Sequence, residues 1–231
     1  MVGLSEKRIE KKKAPRLQVA LDFERLDDAL AIAKEVAPFV DILEAGTPLI
    51  KSEGMRSIQE LKRAHPDKLV CADLKTADAG YLEVKMAANA KANIVTILAD
   101  AYDITIKEAL RAAHDFNVEI MADLIMSRSP VISLAGLIDL NYKDTKLHYG
   151  LVHSGLDSQA SRRAPLLELD LVSRLRDHPK LAIAGGIRVT DIPKLLEYPL
   201  DIIIVGGGIT RVKNPKLAAK QIQNAILKYS K

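Results

Sequence analysis

The feature that most constrains the fold is a regular alternation of eight short apolar segments with helical segments. The short segments are rich in β-branched residues, and several are continuously apolar, which is typical of strands buried on both faces of a parallel sheet. The predicted strands are residues 17–22, 40–44, 69–74, 93–98, 118–124, 149–153, 180–184 and 201–205.

Between these strands, apolar residues recur at the spacing of an amphipathic helix. The predicted helices are residues 26–36, 54–64, 80–91, 104–116, 165–176, 191–196 and 215–229. The stretch 130–142 is a poorer helical pattern within the 30-residue interval between Asp123 and His153, so we expect a longer loop there.

A strand–helix unit repeated eight times predicts parallel strands joined by crossover helices. We therefore expect an α/β fold, a single-domain TIM (β/α)8 barrel over residues 17–231, preceded by a basic extension over residues 1–16. A doubly wound open sheet is the alternative. No G-x-G-x-x-G follows the first strand, which disfavours the dinucleotide-binding version of that alternative.

The charge of the chain is concentrated in the extension. Residues 1–16 carry six basic and two acidic side chains, which equals the whole formal net charge of +4. No basic stripe with interleaved aromatic residues follows, so nucleic-acid binding is not expected. A single cysteine, no apolar run of roughly 18 residues and no apolar signal-peptide core predict a cytoplasmic protein without a membrane span.

A barrel of this type places its chemistry at the carboxyl ends of its strands. Ionisable side chains stand at or just beyond five of these ends, namely Asp22, Glu44, Asp73, Lys75, Asp78, Asp123 and His153. Four of these residues, taken singly, have a purely structural alternative: Asp22 as a helix cap, Glu44 as a solvated loop acid, His153 as a structural histidine and Asp123 as a residue that orients a neighbour.

The group Asp73-x-Lys75-x-x-Asp78 brings three charges to one strand end. An alternating strand places Asp73 and Lys75 on the same side. A lysine held among acids stays protonated, so it can stabilise an anion or deliver a proton. Glu44 and Asp73 could share a hard cation, because Mg²⁺ prefers oxygen ligands and keeps waters that a substrate can replace.

Two glycine clusters, Gly185-Gly186 and Gly206–Gly208, follow the last two strands. The loops at this position of a barrel commonly bind phosphate through backbone N–H groups. The alternative is that the glycines only form tight turns. Arg188, Thr210 and Arg211 lie close enough in sequence to assist.

The segment ADLKTADAG (72–80) resembles the D-x-K-x-x-D signature of the orotidine 5′-phosphate decarboxylase suprafamily. Within it the chain is most similar to the hexulose-phosphate synthase branch. The matching segments are LQVALD (17–22), LEAGTPLIKSEG (43–54), VTILA (95–99), VHSGLDSQA (152–160), AIAGGI (182–187) and IIVGGGIT (203–210). Gly207 stands where both kinds of decarboxylase in the suprafamily carry arginine, and Leu156 stands where the 3-keto-L-gulonate 6-phosphate decarboxylases carry a further arginine. The interval from Asp123 to His153 is longer than this family leads us to expect.

The resemblance implies a reversible aldol reaction between D-ribulose 5-phosphate and formaldehyde, with decarboxylation of orotidine 5′-phosphate or 3-keto-L-gulonate 6-phosphate as the alternative. It also implies a role for each candidate residue. Mg²⁺ would be held by Glu44 and Asp73, and the catalytic residues would be Asp22, Lys75, Asp78 and His153. The substrate and phosphate contacts would be Thr47, Gly185, Gly186, Gly207 and Gly208. Finally, it implies a homodimer with shared active sites, in which Asp78 reaches the partner's pocket. A non-catalytic barrel that binds phosphate or nucleic acid is the alternative from another functional class.

Overall fold

Eight parallel strands close into a barrel in the computed structural model, which describes residues 14–155, 157 and 165–230. The barrel strands are β1 (Arg16–Leu21), β2 (Ile42–Ala45), β3 (Leu69–Thr76), β4 (Ile94–Leu98), β5 (Glu119–Asp123), β8 (Tyr149–His153), β9 (Lys180–Ala184) and β10 (Leu200–Val205). They follow one another around the barrel in chain order, and β10 pairs with β1 to close it. The predicted TIM barrel is therefore confirmed, and the open-sheet alternative is wrong.

Helices surround the barrel between successive strands. They are α1 (Leu26–Val36), α2 (Thr47–Glu53), α3 (Arg56–Ala64), α4 (Gly80–Asn89), α5 (Asp103–Phe116), α6 (Pro130–Leu137), α7 (Leu166–Ser173), α8 (Ile192–Leu195), α9 (Gly207–Thr210) and α10 (Pro215–Tyr229). The short helices α2 and α9 were not predicted. Gly54, with φ of 64°, ends α2 and separates it from α3. No helix of the described residues has the length and apolarity to cross a bilayer.

A small antiparallel hairpin occupies part of the long interval before β8. It consists of β6 (Asn141–Tyr142) and β7 (Thr145–Lys146), joined by Lys143 and Asp144, which both have positive φ. The hairpin packs on α5, where the His114 ring meets the Tyr142 ring edge-on at 5.6 Å. The predicted helical pattern over 130–142 is thus correct only as far as Leu137, because the chain turns into the hairpin.

Strand periodicity separates two apolar layers. Alternate residues such as Leu17, Val19 and Leu21 face the helices and belong to the larger core. The residues between them face the barrel interior, where a second cluster includes Ala20, Ile42, Cys71, Ile94, Met121 and Tyr149. Since side chains alternate with a period of two, the last inward position of each strand lies at the carboxyl end of the barrel.

A polar contact helps to close the opposite end of the barrel. The Tyr149 hydroxyl, fully buried, accepts a hydrogen bond from Arg16 (2.6 Å) and donates to Glu119 (3.0 Å). Burial raises the pKa of Tyr149 to about 12. Arg16, predicted to belong to the extension, is therefore the first residue of β1 and contacts the barrel interior.

Candidate active site

One cavity of about 1490 Å³ opens at the carboxyl ends of the barrel strands. Its walls bring together Asp22, Glu44, Asp73, Lys75 and His153, which stand at or just beyond the ends of β1, β2, β3 and β8. The same cavity reaches both glycine clusters after β9 and β10. Residues scattered over almost 190 positions of the sequence thus surround a single space.

Lys75 is the charged centre of this cavity. Its Nζ lies 2.6 Å from Asp73 Oδ2 and 3.3 Å from Asp123 Oδ2. Burial acts to lower the pKa of Lys75, but the two carboxylates outweigh it and raise that pKa. Burial likewise opposes ionisation of Asp73, yet the Lys75 charge and hydrogen bonds from Lys75, Thr47 and Thr96 lower its pKa. The two residues therefore form an ion pair at neutral pH.

Asp73 and Lys75 meet through an irregular backbone rather than the regular strand that was predicted. The register of β3 against β4 shifts between Ala72 and Thr76, and Lys75 has a left-handed φ of 48°. The Lys75 N–H donates to Thr96 Oγ1 at 3.0 Å. The bulge directs the Lys75 side chain toward Asp73. The expected contact therefore forms, but through a bulge rather than through the alternation of a regular strand.

Glu44 is buried next to two other acids. Burial raises the pKa of Glu44 well above its ordinary value, and the neighbouring carboxylates of Asp73 and Asp22 raise it further. The pKa of Asp22 is also raised, first by burial and then by Asp73. Gln18 donates to Glu44 Oε2 at 2.5 Å, while its own Oε1 is buried without a partner. Lys75 alone therefore does not offset the three carboxyl groups when all of them are ionised.

This donor set suits a hard divalent cation. Glu44 and Asp73 offer carboxylate oxygens on adjacent strands, and the excess negative charge favours a bound cation. Among the described residues, no three His, Cys, Asp or Glu side chains form a closed metal cage. Mg²⁺ does not need one, because it is usually held by one or two carboxylates together with water and substrate oxygens.

His153 is fixed by Asp123. Its Nδ1 lies 2.9 Å from Asp123 Oδ2 and 3.1 Å from Oδ1. Asp123 is fully buried, and its Oδ1 also accepts the N–H of Ile125 at 2.9 Å. With Nδ1 engaged, Nε2 is the ring nitrogen left to act on a ligand. The sequence offered Asp123 as a strand-end acid or as a residue that orients a neighbour, and the identity of its two neighbours, Lys75 and His153, emerges only from the fold.

The glycine turns let backbone approach the cavity closely. Gly185 and Gly186 have φ of 111° and 64°, and a Cβ on Gly185 would lie 2.5 Å from the Ser154 carbonyl oxygen. A Cβ on Gly208 would lie 2.5 Å from the Ile187 carbonyl oxygen. Arg188 and Arg211 also line this side of the cavity. Both turns therefore line the cavity beside two arginine side chains, an arrangement that suits an anion.

Two candidate residues, Thr47 and Asp78, differ from the other members of the site in what their side chains contact. Thr47 lines the cavity, but its hydroxyl is directed at Asp73, at 2.8 Å from the carbonyl oxygen and 2.7 Å from Oδ2. Asp78 is exposed and does not line the cavity of its own chain, and its Oδ1 accepts the N–H of Ala79. Leu156 lies outside the described residues.

Comparison with protein families gives a match over residues 15–222 to the model described as "Orotidine 5'-phosphate decarboxylase / HUMPS family". A curated relative from Mycobacterium gastri, named 3-hexulose-6-phosphate synthase, is 38% identical over 211 residues, covering 91% of this chain and 99% of the relative.

Solved structures agree with that match. A crystal structure of a 3-hexulose-6-phosphate synthase has a TM-score of 0.85 and 37% identity, covering 91% of this chain and 99% of its own. A 3-keto-L-gulonate-6-phosphate decarboxylase from Vibrio cholerae has a TM-score of 0.82 and 28% identity, covering 94% of this chain and 99% of its own.

Proposed function

Because this chain belongs to the orotidine 5′-phosphate decarboxylase / HUMPS family, we propose that it is an aldehyde-lyase acting on a sugar phosphate. It reversibly condenses D-ribulose 5-phosphate with formaldehyde to D-arabino-hex-3-ulose 6-phosphate. The observation that carries this proposal is Lys75, held between two buried carboxylates, in one cavity with His153 and both glycine turns. The relative named 3-hexulose-6-phosphate synthase supports the choice of reaction.

The substrate is anchored at its phosphate. Gly185, Gly186, Gly207 and Gly208 receive the phosphate with their backbone N–H groups, and Arg211 adds positive charge. Asp22, on the neighbouring strand end, binds the hydroxyl groups of the sugar. The ketone at C2 then lies toward Asp73 and Lys75. Because the phosphate is held at the glycine turns, the reacting carbons are positioned on the opposite side of the barrel, toward Asp73 and Lys75.

His153 moves the proton. Its Nε2 removes a proton from C1 of ribulose 5-phosphate, while Asp123 holds Nδ1 and stabilises the imidazolium that forms. The electron pair left at C1 is delocalised into the C2 carbonyl as an enediolate, beside the fixed charge of Lys75. C1 then attacks the carbon of formaldehyde, so that a new C–C bond forms and the C2 carbonyl is restored. The resulting alkoxide takes up the proton held by the His153 imidazolium.

Mg²⁺ is the cofactor that we propose for the site, with Glu44 and Asp73 as its protein ligands. When bound, the ion supplies Lewis acidity and a template for the oxygens of the substrate. Thr47 and Gln18 hold the two ligand carboxylates in place through hydrogen bonds. The excess of carboxylates over Lys75 supports this assignment.

We also propose that the chain is a homodimer with shared sites. Asp78 is exposed beside the cavity-lining segment, so it is free to reach the pocket of a second copy. A cytoplasmic location is proposed as well, in keeping with the single, free and buried Cys71. The location has no bearing on the reaction assigned above, whereas the dimer supplies Asp78 to each site.

Decarboxylation on the same scaffold is the second candidate, favoured by the structural likeness to the Vibrio cholerae decarboxylase. Gly207 argues against it, because the decarboxylases of the suprafamily are expected to carry arginine there. The two reactions use different substrates, so they are separable in one assay.

The deciding experiment is a turnover assay with ribulose 5-phosphate and formaldehyde, with Mg²⁺ or with EDTA. We expect product only with the metal, and restoration when Mg²⁺ is added back in excess. Orotidine 5′-phosphate and 3-keto-L-gulonate 6-phosphate serve as competing substrates. Turnover of either one, without aldol product, contradicts the proposed function, and undiminished aldol turnover in EDTA contradicts the Mg²⁺ assignment.

A further inference from the structure

We propose that Thr96 is a positioning residue, whose single hydroxyl fixes both the Lys75 backbone and the Asp73 carboxylate. The proposal deepens the proposed function and rests on it for the turnover measurements below. Thr96 does not line the cavity, so it acts through these two residues rather than on the substrate.

The hydroxyl uses both of its hydrogen-bonding capacities. Thr96 Oγ1 accepts the N–H of Lys75 at 3.0 Å and donates to Asp73 Oδ1 at 2.8 Å. Thr96 lies in the middle of β4 at an inward position and is only 2% exposed. Water therefore has little access to take its place, and a valine of the same shape would provide neither bond.

The bulge at the end of β3 explains why a side chain is needed here. Ala72 pairs with Val95 and Thr76 pairs with Ile97, so the three intervening residues of β3 face only Thr96 on β4. The Lys75 N–H is directed at the Thr96 hydroxyl instead of a β4 carbonyl group. The left-handed φ of 48° at Lys75 is unfavourable for a residue with a Cβ and persists only if its surroundings hold it.

The same hydroxyl sets the direction of Asp73. Asp73 Oδ2 accepts from Lys75 Nζ and from Thr47, whereas Oδ1 is oriented by Thr96. Without Thr96 the Lys75 amide loses its partner and the carboxylate can rotate. Both halves of the ion pair then lose their position together.

The loss is expected in the chemical step rather than in phosphate binding. The glycine turns follow β9 and β10, and β4 is separated from β10 by four strand positions around the closed barrel. A change at Thr96 therefore leaves the phosphate contacts in place. This separates a positioning role from general damage to the fold.

The test compares Thr96→Val with Thr96→Ser, which restores the hydroxyl, and with Thr105→Val. Thr105 is a buried threonine of α5 outside the cavity, so the last variant is a control for the same substitution. For Thr96→Val we expect kcat to fall about 10–100-fold, the usual effect of removing a residue that orients a ligand. KM for ribulose 5-phosphate should change by less than about threefold, and Thr96→Ser should recover most of kcat. Thr105→Val should leave kcat unchanged.

A second measurement does not depend on turnover. Hydrogen exchange followed by NMR should show faster exchange of the Lys75 amide in Thr96→Val than in the unchanged protein or in Thr96→Ser. Wild-type kcat in Thr96→Val, or an equal loss of kcat in Thr96→Ser, overturns the proposal, and so does unchanged exchange at Lys75. If the unchanged protein has no aldolase activity, the proposed function fails, and the Lys75 exchange still decides the role of Thr96. If Thr96→Val does not fold, Thr96→Ala is measured in its place by the same criteria.

Discussion

The buried Glu44 and Asp73 and the partly buried Asp22 and Lys75 have different tasks in the cavity because their surroundings differ. The Lys75 charge and three hydrogen bonds, from Lys75, Thr47 and Thr96, keep Asp73 ionised, whereas Glu44 and Asp22 face burial and like charge. Lys75 remains charged because two carboxylates face it. The carboxyl groups of two adjacent strands therefore behave differently. Asp73 on β3 forms a stable ion pair, whereas ionisation of Glu44 on β2 is unfavourable.

His153 provides the first prediction at this scale. His153→Ala should slow exchange of the C1 proton of ribulose 5-phosphate with solvent by about 100-fold or more, as expected for loss of a general base. The measurement is ¹H NMR of the substrate in D₂O without formaldehyde. His178→Ala, remote from the cavity lining, is the control. Normal exchange in His153→Ala would mean that another group removes this proton.

Glu44 provides a prediction about stability. Because its folded-state pKa is raised, its contribution to stability is fully present below the ordinary carboxyl pKa and is lost as pH rises through the folded-state value. In metal-free protein above that range, Glu44→Gln should therefore stabilise the fold by about 1 kcal/mol, or about 2–4 °C in Tm. Thermal unfolding at several pH values measures this.

The control for Glu44→Gln is Glu35→Gln, an exposed residue of α1. The gain should appear only for Glu44 and should shrink toward acid pH, where the wild-type carboxyl is protonated. A gain of the same size at every pH would show that charge is not the cause.

At the scale of elements, close helix packing relies on one small residue. Gly80 begins α4, and a Cβ there would lie 2.2 Å from the Thr105 carbonyl oxygen and 3.0 Å from the Ala109 N of α5. These are backbone atoms, which cannot move without shifting the helix. The α4–α5 contact therefore limits residue 80 to glycine.

Gly80→Ala should accordingly destabilise the protein by about 1–3 kcal/mol, the usual cost of overpacking. Gly136→Ala is the matched control, because its Cβ would meet no atom within 4 Å inside α6. That change should be neutral or stabilising by about 0.5–1 kcal/mol, since alanine is the better helix former. Urea midpoints of both variants measure the difference. Equal midpoints would contradict the packing argument.

At the scale of the whole molecule, the candidate active site of each chain lies in the cavity at the carboxyl ends of its barrel strands, and Asp78 does not line that cavity. In the proposed homodimer, Asp78 instead reaches the cavity of the second copy. This makes oligomeric state part of the catalytic question rather than a separate property.

Mixing two inactive variants tests the shared site. Lys75→Ala and Asp78→Ala should each be nearly inactive alone, because each removes one residue from every site. In a random mixture, half of the dimers are hybrids with one intact site of two, so about a quarter of wild-type activity should return. Refolded or co-expressed mixtures are assayed, and light scattering gives the mass. Full activity of Asp78→Ala, or an inactive mixture that contains hybrids, would contradict shared sites.

The sequence by itself determined the barrel and the set of strand-end residues. Periodicity marks the eight barrel strands to within a few residues, and the barrel topology then obliges Asp22, Glu44, Asp73 and His153 to lie at one end. These features are local or follow from strand order, so pattern alone reveals them.

Only the tertiary structure decided how those residues are paired. The β3 bulge, the contact of Asp123 with both Lys75 and His153, and the two hydrogen bonds of Thr96 join residues more than 20 positions apart. The direction of Thr47 toward Asp73 was decided in the same way. Such contacts depend on angstrom-scale register between strands and on local backbone angles, which a period of two in the sequence does not encode.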